Sequence, residues 1–492
     1  MRKGFISLFA GNLFGKIIGA VRELILAALF GTSTPVAAFR IASTATFVPV
    51  NLFTADALSI GFLPNHSRFL LEDRRRAVVF YRAVAALVLA LSVAVAVLLL
   101  ATRDWWVSVI APGVEGSPSS LAAAMLGIMA LAVPFYVHAN LASFLEISHG
   151  GYLLASARPT VQSLGLIAGT VAAFYLGEPL FLAAGFTSAY VIFSVWASIR
   201  VHRRGYARDP LGRSMLSRAD ASEAWGVFIR TITPVLWLPV IVQGAWVGER
   251  AITSLLGAEH IAALDYARFI TETAMALIAA PLGLLLLASL AIQTPAEARA
   301  TSRLLSERIL TVCVPLSACL AAASPLVISV VFGRGAFGAE SVAITTSFLM
   351  GMSVGLWAQV LAYAQVKALN SRRRNAEAAL VIASGSATMI IADLLLVGPL
   401  GALGIGLGVS IGALVQAALA TWRLGISRPM VARVLLLSPV FLAALWGASA
   451  TSSGQDPAEW LLPSLAVTLI SLAWVLLIPR LRADLAALVK RA

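Results

Sequence analysis

Long apolar runs recur along this chain almost without pause, separated by short basic or polar stretches. An α-helix needs about 20 apolar residues to cross a hydrocarbon core of about 30 Å, and the runs reach that length. They predict about fourteen spans, over residues 5–30, 34–64, 77–101, 120–146, 152–176, 179–199, 222–247, 260–292, 307–331, 340–366, 376–397, 400–422, 431–450 and 459–479. The second is the least regular. Pro35 stands near its start, Pro49 lies inside it, and Ser and Thr run through its middle, which predicts a bent helix lining something polar. The fold class is an all-α polytopic membrane protein.

The longest basic connection, from Arg200 to Asp220, divides six helices from eight. An internal echo supports that division: Leu29-Phe30-Gly31, followed by a short polar turn and a long helix, recurs as Leu255-Leu256-Gly257, a shift of 226 residues. Two equivalent six-helix lobes around a central cavity are a transporter's architecture. The expected domains are an amino-terminal lobe over 1–210, a second lobe over 211–425, and two further helices with a cytoplasmic tail over 426–492.

Composition narrows the class. With 60% hydrophobic and 12% charged residues and a mean hydropathy of +0.90, the chain has too little polar surface for a soluble globule of 492 residues. The formal charge of +13 is no sign of a nucleic-acid partner, because the basic residues sit in clusters between spans. On the predicted topology 26 of the 36 basic residues fall on one side, with only Arg103, Arg250 and Arg334 opposite. That asymmetry places both termini in the cytoplasm of a bacterial inner membrane. The first run carries Lys16, Arg22 and Glu23 and meets no A-x-A site, so it reads as a retained helix and not a cleaved signal.

No catalytic or metal-ligating constellation emerges. His66, His149 and His202 fall in loops, and His138 and His260 are isolated. Cys313 and Cys319 lack a second pair or a nearby histidine. Gly11 to Ile17 resembles a nucleotide-binding loop but has three residues between its glycines and Ile17 where a hydroxyl must hold magnesium. The chain is expected to be no enzyme and to hold no cofactor. Its energy would come from a coupling ion, Na+ or H+, from the membrane potential or from the substrate's own gradient.

Charges inside the spans carry the chemistry. Lys16 lies near the middle of the first span, where a lipid-facing charge costs at least roughly 2.5 kcal/mol, so it should face a polar cavity. Arg22 shares that helix, and two cations with too little acid nearby make an anion site. Glu23 reads equally well as a structural counter-charge. Arg268 and Glu272, four residues apart, share one face of the eighth span. Arg40 is balanced between a cavity role and a structural one. Arg158 and Arg230 read as helix-end residues whose heads snorkel. Asp393, late in the eleventh span, could be protonated, ion-coordinating or interfacial.

These residues sit in motifs. The stretch Gly15-Lys16-Ile17-Ile18-Gly19-Ala20-Val21-Arg22-Glu23, running on to Leu29-Phe30-Gly31, resembles the first helix of the MurJ/MviN lipid II flippases, members of the multidrug and oligosaccharidyl-lipid exporter superfamily. Phe53 to Pro64, Ala267-Arg268 with Glu272, Phe332 to Phe337, and Pro399-Leu400-Gly401 through Ser410 extend the resemblance in order along nearly the whole chain. It implies two six-helix lobes plus two carboxyl-terminal helices that help form a groove for a lipid tail. It also implies that Lys16, Arg22 and Arg268 are cavity cations. The chain departs from the family pattern at Ala37, Val50, Asn51 and Ala55, where charges are usual, although Asp56 adjoins the last of these.

The expected function is translocation of an undecaprenyl-diphosphate-linked glycan from the cytoplasmic to the periplasmic leaflet by alternating access. Lys16, Arg22 and Arg268 would hold the diphosphate, and Glu23, Arg40, Asp56 and Glu272 would line the cavity or balance charge. The glycan could be the lipid II peptidoglycan precursor or an exopolysaccharide or capsule unit. Its partners would be that substrate, membrane lipids and the glycan-biosynthesis machinery. A drug or organic-cation antiporter would need acid to dominate the cavity. A membrane-embedded glycan ligase would need a larger external domain than the loop from Arg103 to Ser119.

Overall fold

The computed structural model describes residues 2–54, 58–208, 217–233, 236–290, 293–452 and 457–489, and every regular element among them is helical. The first elements are α1 (Arg2–Phe30), α2 (Thr34–Phe53), a π-helical turn (Leu58–Phe62), α3 (Leu63–Glu72), α4 (Arg74–Ala101), α5 (Arg103–Ile110), α6 (Ser117–Ala130), α7 (Val133–Ser148), α8 (Leu153–Leu176) and α9 (Leu180–Arg204). Next come α10 (Arg218–Ile232), α11 (Trp237–Ser254), α12 (Ala258–Leu290), α13 (Pro295–Ala322), α14 (Ser324–Phe332), α15 (Ala339–Val354) and α16 (Leu356–Ser371). The last are α17 (Asn375–Leu424), α18 (Ser427–Leu436), α19 (Ser438–Ser452), α20 (Pro457–Leu477) and α21 (Pro479–Val489).

Among the described residues six helices are long and apolar enough to cross a membrane, and four bent helix pairs raise that number to ten. The bends have local causes. Pro134, at the start of α7, follows the 46° break after α6. The 49° break between α15 and α16 frees the N–H of Gly355, which donates to Ser410 Oγ on α17 at 2.8 Å. That hydroxyl in turn donates to the carbonyl of Gly351 at 2.6 Å. A buried break therefore leaves no orphaned donor at Gly355. α17 is two helices joined at Gly401, whose φ of 54° and ψ of −130° suit glycine alone.

The chain divides into two compact units, Met1–Val247 and Gly248–Ala492. In the first, α1 runs along α8, α9 packs on α8, and α2 packs on α6. The α8–α9 crossing is tight because glycines face each other: a Cβ on Gly169 would stand 2.5 Å from the Phe181 carbonyl oxygen. Small residues let helix backbones touch where lipid supplies no hydrophobic drive to hold them together. In the second unit α12 packs on α15 and α16, and α17 packs on the same two helices.

The irregularity expected in the second span is present as the end of α2 at Phe53 and the π-helical turn that follows. Two boundaries differ from the sequence reading. The seventh run ends at 247 by hydropathy, yet α11 continues to Ser254 through Glu249 and Arg250. Arg250 is accordingly a buried helical residue and not part of a loop. The ninth span starts early because a capping box opens α13: Thr294 Oγ1 accepts from the Glu297 N–H, and Glu297 Oε2 accepts from the Thr294 N–H. Arg299, Arg303 and Arg308 therefore sit on a helix.

Candidate functional site

In the first unit the charges gather around one carboxylate. Glu23 on α1 is 3% exposed. Its Oε1 accepts from Arg22 Nη2 at 2.5 Å and from Arg22 Nε at 3.2 Å, and its Oε2 accepts from Arg40 Nη2 on α2. Both carboxylate oxygens are thus bonded by guanidinium groups in charge-assisted hydrogen bonds. Arg22 and Arg40 face a cavity of about 200 Å³. Arg22, Arg40, Ser43, Gln162 and Thr170 supply its polar lining, and Phe39, Phe47 and Phe186 supply aromatic walls.

Lys16 is exposed on α1, two turns before this triad. Arg22, six residues further on, turns to Glu23, which Arg40 also bonds. Arg158 corrects the snorkelling expectation. Its Nη1 donates to Oδ1 of Asn140 on α7, a residue 3% exposed, so the head points inward. Asp56 lies outside the described residues, as do Ala55 and Arg213.

The second unit repeats the motif and adds acid. Arg268 Nη2 on α12 donates to Glu249 Oε2 on α11, and Arg250 Nη2 donates to Asp265 Oδ1 at 2.6 Å. Glu249 stands 226 residues after Glu23, and Gly257, which closes α11, stands 226 after Gly31. Both glycines have positive φ, 57° and 122°. Sequence reasoning missed Glu249, Arg250 and Asp265. Applying the 226-residue shift to Glu23 would have found the first. Glu272 is exposed one turn beyond Arg268.

Asp393, on the first half of α17, is fully buried. Neither carboxylate oxygen has a hydrogen-bond partner among the described residues, and Glu249 and Arg268 are the charged groups that act on it. It is wedged against the second half of the same helix: a Cβ on Gly408 would stand 1.8 Å from Asp393 Oδ1. Glu249, Asp265, Glu272 and Asp393 thus act on Arg268 or stand beside it in the second unit.

Set against known proteins, the chain matches the profile of the family described as "Lipid II flippase MurJ" over residues 26–470. A curated relative from Synechocystis sp., "Probable lipid II flippase MurJ", is 26% identical over 384 residues, 70% of this chain and 67% of the relative. The solved structure "Lipid II flippase MurJ, inward closed conformation" superposes with a TM-score of 0.79 at 16% identity, covering 96% of this chain and 99% of that one. An inward-facing multidrug resistance MATE family transporter superposes with a TM-score of 0.68 at 15% identity, covering 88% and 99%.

Proposed function

Because the chain belongs to the lipid II flippase MurJ family, we propose that it carries a lipid II-type undecaprenyl-diphosphate-linked glycan from the cytoplasmic to the periplasmic leaflet by alternating access. The observation that carries this reading is the pair of arginines, Arg22 and Arg40, that lines the cavity of the first unit, because charge-assisted contacts to phosphate are strong where water is scarce. Lys16 and Arg22 hold the diphosphate. Arg40 joins them, while Glu23 keeps the site releasable by offsetting part of its charge.

Asp393 supports ion coupling. A buried carboxylate without a hydrogen-bond partner calls for a proton or a cation as its counter-charge, so the acid of the second unit is the seat of the coupling ion, H+ or Na+. The clustering of basic residues on one side of the predicted topology supports cytoplasmic termini in an inner membrane.

A second reading, a flippase for an exopolysaccharide or capsule unit, is favoured by the uncharged Ala37, Val50 and Asn51 where the family pattern carries charge. The test is complementation in cells depleted of their own lipid II flippase, with periplasmic exposure of lipid II as the readout. Wild type should restore exposure, and Lys16→Ala and Arg22→Ala should abolish it while the protein remains in the membrane. Full activity in both variants would remove the anion site, and failure of wild type would favour the other glycan.

A further inference from the structure

Arg158 is a cation of the first unit that the Glu23 site does not use. Its hydrogen-bond partner is an amide, Asn140 Oδ1. Asn140 is itself held, because its Nδ2 donates to the Tyr136 carbonyl at 2.9 Å. The two buried carboxylates of this unit among the described residues are taken by other arginines: Glu23 by Arg22 and Arg40, and Glu146 by Arg200 at 2.5 Å. An amide accepts a hydrogen bond without cancelling charge. Arg158 therefore keeps its full charge, and a fork of five donors is more than one amide oxygen can use.

Its place in the helix packing points to a route. On α8, Arg158, Gln162, Leu166 and Thr170 follow one another at four-residue spacing on one face, and the last three line the cavity beside Arg22 and Arg40. α1 and α8 run in parallel register: a Cβ on Gly15 would meet Pro159 at 2.9 Å, and one on Gly19 would meet Ser163 at 3.7 Å. That register sets Arg158 about two turns, roughly 12 Å, from the level of Arg22 and within a turn of the level of Lys16.

Aromatic rings join the two levels. Tyr190 on α9 lies within electrostatic reach of both Arg158 and Arg22. It packs on Tyr136 and Phe186, each with ring centroids 4.9 Å from its own, and Phe186 lines the cavity.

We propose that Arg158 is a second anion station of the first unit, toward the amino-terminal ends of α1 and α8. It takes the phosphate-bearing head of the substrate before the Arg22–Arg40 cavity does. The identity of that head rests on the reading that the substrate is a lipid diphosphate. Arginine is suited to the task because its planar fork matches phosphate oxygens in pairs.

The test is binding to the purified full-length protein in lipid nanodiscs, with undecaprenyl diphosphate and inorganic pyrophosphate as probes. Arg158→Gln should weaken pyrophosphate binding by about tenfold, the size of one lost charge-assisted contact, and Arg158→Lys should recover most of it. Asn140→Asp separates the station from a merely structural link. It keeps the contact to Arg158 and neutralises the charge, so it should weaken binding as Arg158→Gln does, with melting temperature kept or raised. Pyrophosphate binding at wild-type strength in Asn140→Asp would overturn the proposal, as would wild-type binding in a well-folded Arg158→Gln. If wild type binds pyrophosphate in an Arg158-dependent way but ignores the lipid, the station stands and the lipid reading falls.

Discussion

Glu249 accepts a hydrogen bond from Arg268 across the α11–α12 turn, in the same arrangement by which Glu23 accepts one from Arg40 across the α1–α2 turn. The intervals are nearly equal, 19 and 17 residues. Each acid comes late in its helix and is followed by a glycine with positive φ, Gly257 or Gly31, which turns the chain so that the next helix returns alongside. The settings of the duplicated pair differ: a second arginine, Arg22, also bonds Glu23, whereas Asp265 and Glu272 also act on Arg268.

Glu249→Gln is expected to destabilise the protein by about 1–3 kcal/mol, since Arg268 would lose its hydrogen-bonded carboxylate while Asp265 and Glu272 still act on it. The double variant Glu249→Gln with Arg268→Gln should be more stable than Glu249→Gln alone. Thermal unfolding of the three variants in one detergent checks the cycle, and additive losses would contradict the pairing.

Glu23→Gln acts in the other direction on ligand. It removes the charge that offsets Arg22 and Arg40, so pyrophosphate should bind about tenfold more tightly. Flipping should slow because release becomes limiting. Binding titrations paired with a flipping assay decide it; weaker binding together with slower flipping would mean that Glu23 mainly positions the arginines.

Gly408 leaves room for Asp393. Gly408→Ala would push a methyl group to 1.8 Å from Asp393 Oδ1, a clash between the two halves of α17. The expected loss is about 1–3 kcal/mol of stability. Asp393→Ala in the same chain should recover most of it. Melting temperatures of the single and double variants provide the check.

His66 on α3 lies between spans and gives the stability a pH dependence. Burial, with the neighbouring His149 adding to it, pushes its pKa down to about 3. Its ring stacks on Phe62 with centroids 5.0 Å apart. The unfolded chain protonates this group near 6.5 while the folded chain does not, so stability falls as pH drops from about 6.5 toward 3. Above that window both states are neutral at His66 and its contribution is flat. His66→Phe should make the acid limb of a melting-temperature profile shallower, and an unchanged limb would show that other groups set it.

The helices were legible because apolar run length is a local property, and so were Lys16, Arg22 and Arg268, since a charge inside an apolar run stands out wherever it goes. Glu249 and Arg250 were not. They come where the seventh run ends by hydropathy, but backbone hydrogen bonding continues the helix whatever the side chains, and Arg268 and Asp265 compensate their charges. The bend at Gly355 was equally hidden, because the hydroxyl that satisfies its N–H comes from Ser410, far along the chain.

Arg158 shows the division most clearly. From sequence it is a basic residue before a proline near a helix start, for which snorkelling is the ordinary expectation. Asn140 changes that by drawing the guanidinium inward, and no periodicity reports a partner on another helix.

What the sequence alone determined is the all-helical membrane class, the echo at 226 residues and the presence of unusual charge within helices. Each follows from composition and spacing along one dimension. Which acid answers which arginine was decided only by tertiary packing. Electrostatic compensation depends on distances of a few ångströms between groups many residues apart.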